Sequence, residues 1–274
     1  MKKQSNIFWG VDCGSSEIKV VALDDAGKLI HKCKTRTLFP LADHVRAALK
    51  GKASFPGPLK GDEVKAGHFI AITGYGRTHI DFIDERLTEI KSHYLGVHHQ
   101  LNFEAPYTII DIGGQDSKII EVADGSVKRF VMNRKCAAGT GAFIEELAHR
   151  LELKLGDLSK LEKKHDKKIA LNSYCTVFAA TEVIKILMNG EKVENLIHAM
   201  YESVAKRVLE MTSITTDTVV LSGGVAEYHP ALHGVLRERL GSHQELILAP
   251  QAQYCGAIGA ALFVKDNLQK EQNS

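Results

Sequence analysis

The chain has 274 residues, of which 44% are hydrophobic and 25% are charged, a composition typical of globular domains and long enough for two of them. The formal net charge is only +2 and the basic residues form no block or stripe, which argues against nucleic acid or a membrane surface as a partner. No apolar run approaches the length of a signal peptide or a membrane span, and five widely spaced cysteines argue against a disulfide framework. We therefore expect a reducing, cytoplasmic location.

The first predicted element is a β-hairpin close to the start of the chain. An apolar strand over residues 7–11 leads into a polar turn, and a second strand runs from Lys19 to Leu23, although strand alternation can point Lys19 to solvent. A glycine in such a turn lets backbone N–H groups approach phosphate oxygens, and an aspartate at the strand end can hold a hydrated magnesium ion. A single turn of this kind more often serves only to reverse the chain and binds no ligand. The candidate residues are Asp12 for magnesium and Gly14, Ser15, Ser16 and Lys19 for the phosphate groups.

The same hairpin recurs near the middle of the chain. Residues 107–110 form an apolar strand, an Asp-x-Gly turn follows, and the next strand runs from Lys118 to Val122. Repetition of a whole hairpin indicates two similar domains, and two such turns can grip the phosphate tail of one nucleotide. An attacking water needs an oriented acceptor, which Gln115 or Asp116 can supply. The candidates in this copy are Asp111, which is also a second magnesium candidate, Gly113, Gly114, Gln115 and Asp116.

Two of the cysteines precede helical patterns. Cys136 lies before a run of small residues, after which apolar residues recur at helical spacing, and Cys175 directly precedes a second such pattern. The partial positive charge at a helix N-terminus favours a thiolate, so both positions suit a metal ligand. A lone cysteine at a helix start is more commonly a small buried residue, and Cys13, Cys33 and Cys255 are interpreted in that way.

A third glycine turn follows another apolar strand late in the chain. The pair Gly223 and Gly224 leads into a predicted helix near residues 231–240, and such a pair can pass close to an adenine ring. The same pattern also connects strands and helices without any ligand. A last strand over residues 246–249 and a helix of small residues at 256–261 close the chain, and that helix packs tightly enough to act as a hinge.

The order of these elements resembles the superfamily of actin, the heat-shock chaperone ATPases and the sugar kinases. Within it, the chain closely resembles the activators of 2-hydroxyacyl-CoA dehydratases and the ATPase subunits of benzoyl-CoA reductases, from about residue 7 to residue 264. The resemblance rests on four blocks, which are residues 73–77, 110–118, 135–141 and 175–179.

The resemblance implies an α/β fold of two ribonuclease H-like, actin-like ATPase domains with a nucleotide cleft between them. Residues 1–100 together with 246–274 are expected to form the first domain. Residues 101–245 are expected to form the second domain, with the second phosphate hairpin, the two cysteines and the adenosine turn.

The resemblance also implies the cofactors, which are ATP or ADP with magnesium and one 4Fe-4S cluster per homodimer. Four thiolates hold such a cluster, and two-fold symmetry supplies them when each subunit contributes Cys136 and Cys175. Four thiolates also make a structural zinc site, so zinc stays open as the rival metal. Gly139 and Thr140 belong to the implied nucleotide contacts.

The implied function couples ATP hydrolysis to the transfer of one low-potential electron into an iron-sulfur acceptor enzyme, with a ferredoxin or flavodoxin as the electron source. The switch from ATP to ADP is expected to change the closure of the two domains. Arg134 and Ala180 depart from acidic residues common in characterised activators, which leaves the acceptor open. The alternatives are a sugar-type kinase of the same superfamily without a redox cluster and a nucleotide-dependent assembly protein.

Overall fold

The computed structural model describes residues 5–273 apart from positions 53, 54, 62, 84 and 172–175. The strands are β1 (Ile7–Cys13), β2 (Glu17–Leu23), β3 (Leu29–Arg36), β4 (Gly51–Lys52), β5 (Phe55–Pro56), β6 (Leu59–Lys60), β7 (Glu63–Val64), β8 (His68–Thr73), β9 (Glu85–Arg86), β10 (Tyr107–Ile112), β11 (Ser117–Ala123), β12 (Ser126–Asn133), β13 (Thr218–Ser222) and β14 (Glu245–Leu248). The helices are α1 (Leu41–Leu49), α2 (Glu89–Leu101), α3 (Gly141–Arg150), α4 (Leu155–Glu162), α5 (Thr176–Met188), α6 (Val193–Leu209), α7 (Gly224–Tyr228), α8 (Pro230–Arg239) and α9 (Cys255–Gln272).

The chain divides into two compact units, the first formed by Met1–Asn102 with Tyr254–Ser274 and the second by Phe103–Gln253. The expected boundary before residue 246 differs from this division. The reason is that β14 pairs in parallel with β13 and so extends the sheet of the second unit. The chain returns to the first unit at Tyr254, directly before α9.

The first unit is built on a five-stranded sheet in the order β3-β2-β1-β8-β9. Strand β1 runs antiparallel to β2 and parallel to β8, with Asp12 opposite both Lys19 and Thr73. Phe8 packs in one apolar cluster with residues of α9, and Trp9 packs in another with residues of α1. Because both faces of the sheet are covered, β1 is a continuous apolar run rather than an alternating one.

The closing helix α9 packs against its own unit through residues that have no side chain. A Cβ atom built on Gly10 of β1 would lie 1.8 Å from the carbonyl oxygen of Ala257. A Cβ atom built on Gly259 would lie 1.8 Å from the carbonyl oxygen of Ser92 in α2. The small residues predicted as a hinge therefore serve a close approach of α9 to β1 and α2.

We expect the substitution Gly259→Ala to destabilise the protein by about 3 kcal/mol or more, because the new methyl group must displace the α2 backbone. The matched control is Gly234→Ala in α8, where a Cβ atom would have nothing within 4 Å and where alanine is the better helix former. Thermal unfolding followed by circular dichroism measures both. Equal melting temperatures for the two variants would contradict the packing argument.

The second unit repeats the sheet of the first. Its order is β12-β11-β10-β13-β14, with β10 antiparallel to β11 and parallel to β13. Asp111 lies opposite Lys118 in the same register as Asp12 and Lys19 in the first unit. The core of this unit packs around α6, in which Ile197 and most other apolar side chains are buried. The internal repeat predicted from the sequence is therefore confirmed.

Residues 51–65 are rich in glycine, proline and lysine, a composition typical of a solvated loop, but they form more than a plain loop. They hold two short antiparallel ladders, β4 with β5 and β6 with β7. Gly57 and Pro58 between the ladders are buried. Among the described helices, none combines the length and the apolar character needed to cross a bilayer.

Candidate functional site

The turn between β1 and β2 places the first group of candidates. Asp12, the last but one residue of β1, has only 8% of its surface exposed, and Lys19 Nζ lies 3.9 Å from Asp12 Oδ2. The Gly14 N–H donates to the carbonyl oxygen of Glu17 at 3.1 Å and closes the turn, whereas Ser15 and Ser16 at its tip are exposed. The turn thus presents hydroxyl groups to solvent above a buried carboxylate, as a phosphate and magnesium site requires.

Cys13 lies directly after Asp12 and is completely buried. The short 3-10 helix Tyr75–His79, which follows β8, packs beside it, since a Cβ atom on Gly76 would lie 2.5 Å from Cys13 Sγ. Burial raises the pKa of the Cys13 thiol to about 12, and the neighbouring Asp12 carboxylate adds to the rise. This thiol therefore stays protonated and packs as a small apolar group.

The second hairpin contains a buried ion-pair network. Lys118 Nζ lies 3.1 Å from Asp111 Oδ2 and 2.8 Å from Asp116 Oδ1. The hydroxyl of Ser222, at the end of β13, donates to Asp111 Oδ1 at 2.9 Å. Asp111 and Lys118 are almost fully buried, whereas the Asp116 side chain keeps 24% of its surface exposed. Asp111 therefore holds Lys118 and Ser222 in place. Of the two carboxylates bound to Lys118, that of Asp116 is the one that reaches solvent.

The turn of the second hairpin is joined by its backbone to the start of α3. The Gly113 N–H donates to the Asp116 carbonyl at 2.9 Å, which closes the turn, and Gln115 at its tip is exposed. The Gly113 carbonyl accepts from Gly141 N–H at 2.9 Å and the Gly114 carbonyl accepts from Ala142 N–H at 2.7 Å. These carbonyls satisfy two of the N–H groups that a helix leaves unpaired at its first turn. The hairpin and α3 are therefore one connected structure.

The third glycine turn packs on the same end of β10. Gly223 has a φ of +94°, and a Cβ atom there would lie 2.4 Å from the Ile112 carbonyl oxygen and 2.8 Å from Asp111 Oδ1. A Cβ atom on Gly224, where α7 begins, would have nothing within 4 Å. The turn therefore needs glycine for its close approach at Gly223 and leaves open space at Gly224, beside the second Asp-x-Gly hairpin.

Cys136 lies in the loop between β12 and α3, and its side chain is exposed. Asn133, the last residue of β12, holds this loop by its side-chain amide. Its Nδ2 donates to the Cys136 carbonyl at 2.9 Å and to the Ala138 carbonyl at 3.1 Å, and its Oδ1 accepts from Cys136 N–H at 3.2 Å. Arg134 and Lys135, both exposed, add positive charge directly before the thiol.

The remainder of the loop is tied back to the second hairpin. The hydroxyl of Ser117, the first residue of β11, donates to the Gly139 carbonyl, and the Thr140 hydroxyl donates to the Ala137 carbonyl at 2.6 Å. Gly139 has a φ of +80° and Thr140 is buried. This turn separates Cys136 from α3, which begins at Gly141, after the run of small residues where the apolar spacing predicted the helix.

The remaining cysteines take different positions. Cys175 lies outside the described residues, and α5 begins at the residue that follows it, Thr176. Cys255 is buried and its Sγ accepts from Gln100 Nε2 at 3.4 Å. Cys33 is half-buried, with its Sγ 4.0 Å from the Ala48 carbonyl oxygen.

Three residues that position the site are not among the sequence candidates. Asn133 and Ser117 hold the Cys136 loop, and Ser222 holds Asp111. Asparagine and serine at the ends of strands are ordinary turn formers, so the sequence gives only a weak signal for them. The repeat gives a stronger signal for Lys118, since it occupies the position of Lys19 in the first hairpin.

Two five-stranded sheets that each contain an Asp-x-Gly hairpin define the class as the actin-like α/β fold. The sequence profile of the BadF/BadG/BcrA/BcrD ATPase family matches residues 9–264. The chain belongs to this family, as its sequence blocks predicted.

Proteins that match this chain over nearly its full length have assigned roles. The (R)-2-hydroxyglutaryl-CoA dehydratase activating ATPase of Acidaminococcus fermentans is 38% identical over 263 residues, which cover 93% of this chain and 95% of that protein. The activator of lactoyl-CoA dehydratase of Anaerotignum propionicum is 38% identical and covers 96% and 98% of the two chains. The crystal structure of the activator of 2-hydroxyisocaproyl-CoA dehydratase from Clostridium difficile with bound ADPNP superimposes with a TM-score of 0.84 at 31% identity, over 97% of each chain. The predicted actin-like fold is confirmed.

Proposed function

We propose that this protein hydrolyses ATP and uses the nucleotide switch to donate one electron at low potential to an iron-sulfur enzyme that dehydrates or reduces an acyl-CoA thioester. Relatives that activate 2-hydroxyacyl-CoA dehydratases over the full chain length support this assignment. A nucleotide ligand is supported by a similar solved structure, which holds ADPNP.

The observation that carries the proposal is the continuous path of hydrogen bonds between the second phosphate hairpin and the Cys136 loop. Gly113 and Gly114 hold the start of α3, and Ser117 of the same hairpin holds Gly139. A change in the phosphate contacts at this turn therefore acts on the segment that leads back to Cys136. A plain hydrolase or kinase has no need to connect its phosphate turn to an exposed thiol.

We assign the nucleotide contacts to the two hairpin turns. Asp12 binds magnesium through water, because its carboxylate lies near the end of β1 beside an exposed turn and is 3.9 Å from Lys19 Nζ, too far for a close ion pair. Asp111 supports the second turn, since both of its oxygens accept bonds from Lys118 and Ser222. Exposed Gln115 or Asp116 orients the attacking water. The remaining phosphate and adenosine contacts are assigned to Gly14, Ser15, Ser16, Lys19, Gly113, Gly114, Gly139, Thr140, Gly223 and Gly224.

Cys136 fits the role of a cluster ligand. Its thiol is exposed, its backbone is fixed by Asn133, and Arg134 and Lys135 supply positive charge that suits an anionic thiolate group. We propose that Cys136 and Cys175 of two subunits related by two-fold symmetry hold one 4Fe-4S cluster. The group supplies one-electron transfer, and the protein's part is to hold the four thiols and to turn the loop that carries Cys136 when the phosphate contacts change.

The proposal is tested with protein purified without oxygen. We expect about four iron and four sulfide ions per dimer, and reduction of an iron-sulfur dehydratase that requires ATP, with reduced ferredoxin, flavodoxin or dithionite as the electron source. Iron-free protein that phosphorylates a sugar at the expense of ATP would identify a kinase instead. Four zinc-bound thiols without iron would also overturn the redox proposal.

We expect Asn133→Ala to loosen the Cys136 loop without removing a ligand. Three hydrogen bonds to the loop are lost, so the rate of iron loss to a chelator should rise on the order of 10-fold, while iron content at the start of the assay stays near that of the parent. Asn133→Asp retains the acceptor for Cys136 N–H but loses the donor to both carbonyls, so it should also raise the chelation rate if the two donated bonds hold the loop. Identical chelation rates for the parent and both variants would contradict a positioning role.

A further inference from the structure

A second group of candidate ligands lies in the second unit, on elements that the proposed nucleotide and cysteine sites do not use. Glu162 ends α4, His165 follows in the next turn, and His198 lies in α6. Glu162 keeps only 8% of its surface exposed and His198 only 2%. Buried carboxylates and imidazoles require partners, so their convergence needs a physical explanation.

The donor atoms of the three residues are close enough to share one ion. His198 Nδ1 lies 2.9 Å from Glu162 Oε1, and His165 Nδ1 lies 3.4 Å from the same oxygen. One ligand atom from each residue falls within 4.8 Å of the other two. Ligands at the usual zinc distances stand roughly 3.3 Å apart in a tetrahedral site. The separations therefore suit a tetrahedral ion with two nitrogen donors and one oxygen donor.

The second ring nitrogen of His198, Nε2, faces a carboxylate, as the second nitrogen of a metal-bound histidine commonly does. Its Nε2 has no hydrogen-bond partner among the described residues, and the carboxylate oxygen Glu202 Oε1 lies 3.6 Å away. Arg239 Nε donates to Glu202 Oε2 at 2.6 Å and fixes this carboxylate. A histidine that binds a metal through one ring nitrogen commonly directs the N–H of the other toward a carboxylate. Metal binding through Nδ1 would place the proton on Nε2, facing Glu202.

His165 has the freedom that coordination requires. Its ring stacks on that of His198 with centroids 3.8 Å apart, and its Nδ1 lies 2.7 Å from the Glu162 carbonyl oxygen, so it must tilt out of the stack to share an ion. Its side chain is 27% exposed. The loop that carries it is anchored separately, since Asn195 Oδ1 accepts from Asp166 N–H at 3.0 Å. The ring can therefore move without releasing the loop.

We infer that Glu162, His165 and His198 form a binding site for a divalent transition-metal ion of the zinc class, with a water at the remaining position. Two imidazoles and one carboxylate favour zinc, cobalt or nickel over magnesium and calcium, which prefer sites made of oxygen ligands. Bound at this position, the ion joins the end of α4 to α6. The site is independent of the proposed redox function and uses none of its residues.

The test is zinc binding by the full-length protein and three variants. We expect one zinc per chain by isothermal titration, with a higher melting temperature on addition of zinc and no change on addition of magnesium. His165→Gln, at a half-exposed position, and Glu162→Gln, which retains an acceptor for His198, should each weaken zinc binding on the order of 100-fold or more. His149→Gln, which changes an exposed histidine of α3 in the same unit, is the control and should bind zinc as the parent does.

X-ray absorption at the zinc edge identifies the ligands independently of any iron in the sample. We expect nitrogen and oxygen neighbours at about 2.0–2.1 Å and no sulfur at about 2.3 Å. Sulfur neighbours would place the zinc on cysteines and overturn the inference. So would the absence of bound zinc, or zinc binding that is equal in the parent and both Gln variants of the cluster.

Discussion

Replacing Cys136 with serine is expected to abolish ATP-dependent electron donation and to remove the iron, while ATP hydrolysis stays within a few-fold of the parent. Serine fills nearly the same volume, and the backbone bonds from Asn133 to the loop do not involve the thiol. The side chain is exposed, so the free energy of unfolding of the iron-free protein should change by less than about 0.5 kcal/mol. A hydroxyl group is a poor iron ligand, and a symmetric cluster loses two ligands for each substitution.

Iron and sulfide content, the visible absorbance and the rate of phosphate release measure these effects on one anaerobic preparation. Cys33→Ser is the matched control, because Cys33 is half-buried in the first unit and is assigned to packing. We expect that variant to keep its iron. A Cys136→Ser protein with a full complement of iron would exclude Cys136 as a ligand, and iron lost equally from both variants would point to general destabilisation.

The sequence predicts the fold well because the hairpins repeat. Each Asp-x-Gly turn is a local signal, and their common register about Asp12 and Asp111 follows from one duplicated pattern. It is harder to predict which side chains of β11 face solvent. Nearly every residue from Ser117 to Val122 is buried, so the alternation that shows which side chains face solvent is missing, and the direction of Lys118 could not be read.

The features that could not be predicted depend on contacts between segments that are far apart in the chain. The place of β14 depends on its pairing with β13, and the α4–α6 cluster joins Glu162 to His198 across a loop and a helix. The amide of Asn133 reaches two carbonyls of the next loop, which no periodicity in the sequence reports. In each case the determining interaction forms only when the chain has folded.

The buried network around Lys118 leads to the second large effect. We expect Lys118→Met to lower the free energy of unfolding by about 3–5 kcal/mol, because the Asp111 carboxylate, with only 2% of its side chain exposed, loses its ion pair with Lys118. Asp116, also held by Lys118, would lose its fixed position beside the turn. ATP hydrolysis should therefore fall by about 100-fold or more.

Two further variants separate charge burial from catalysis. The double variant Asp111→Asn with Lys118→Met removes both buried charges, so it should recover most of the stability, but not the hydrolysis rate, because Asp116 still lacks its ion pair with Lys118. Lys19→Met alters the equivalent position of the first hairpin, where the pair is 3.9 Å apart and the Lys19 side chain is 14% exposed, and should cost less stability than Lys118→Met. Thermal unfolding and phosphate release measure all three. An equal loss of unfolding free energy in Lys19→Met and Lys118→Met would mean that the deeper burial of Lys118 has no effect. That result would contradict the supporting role assigned to Lys118.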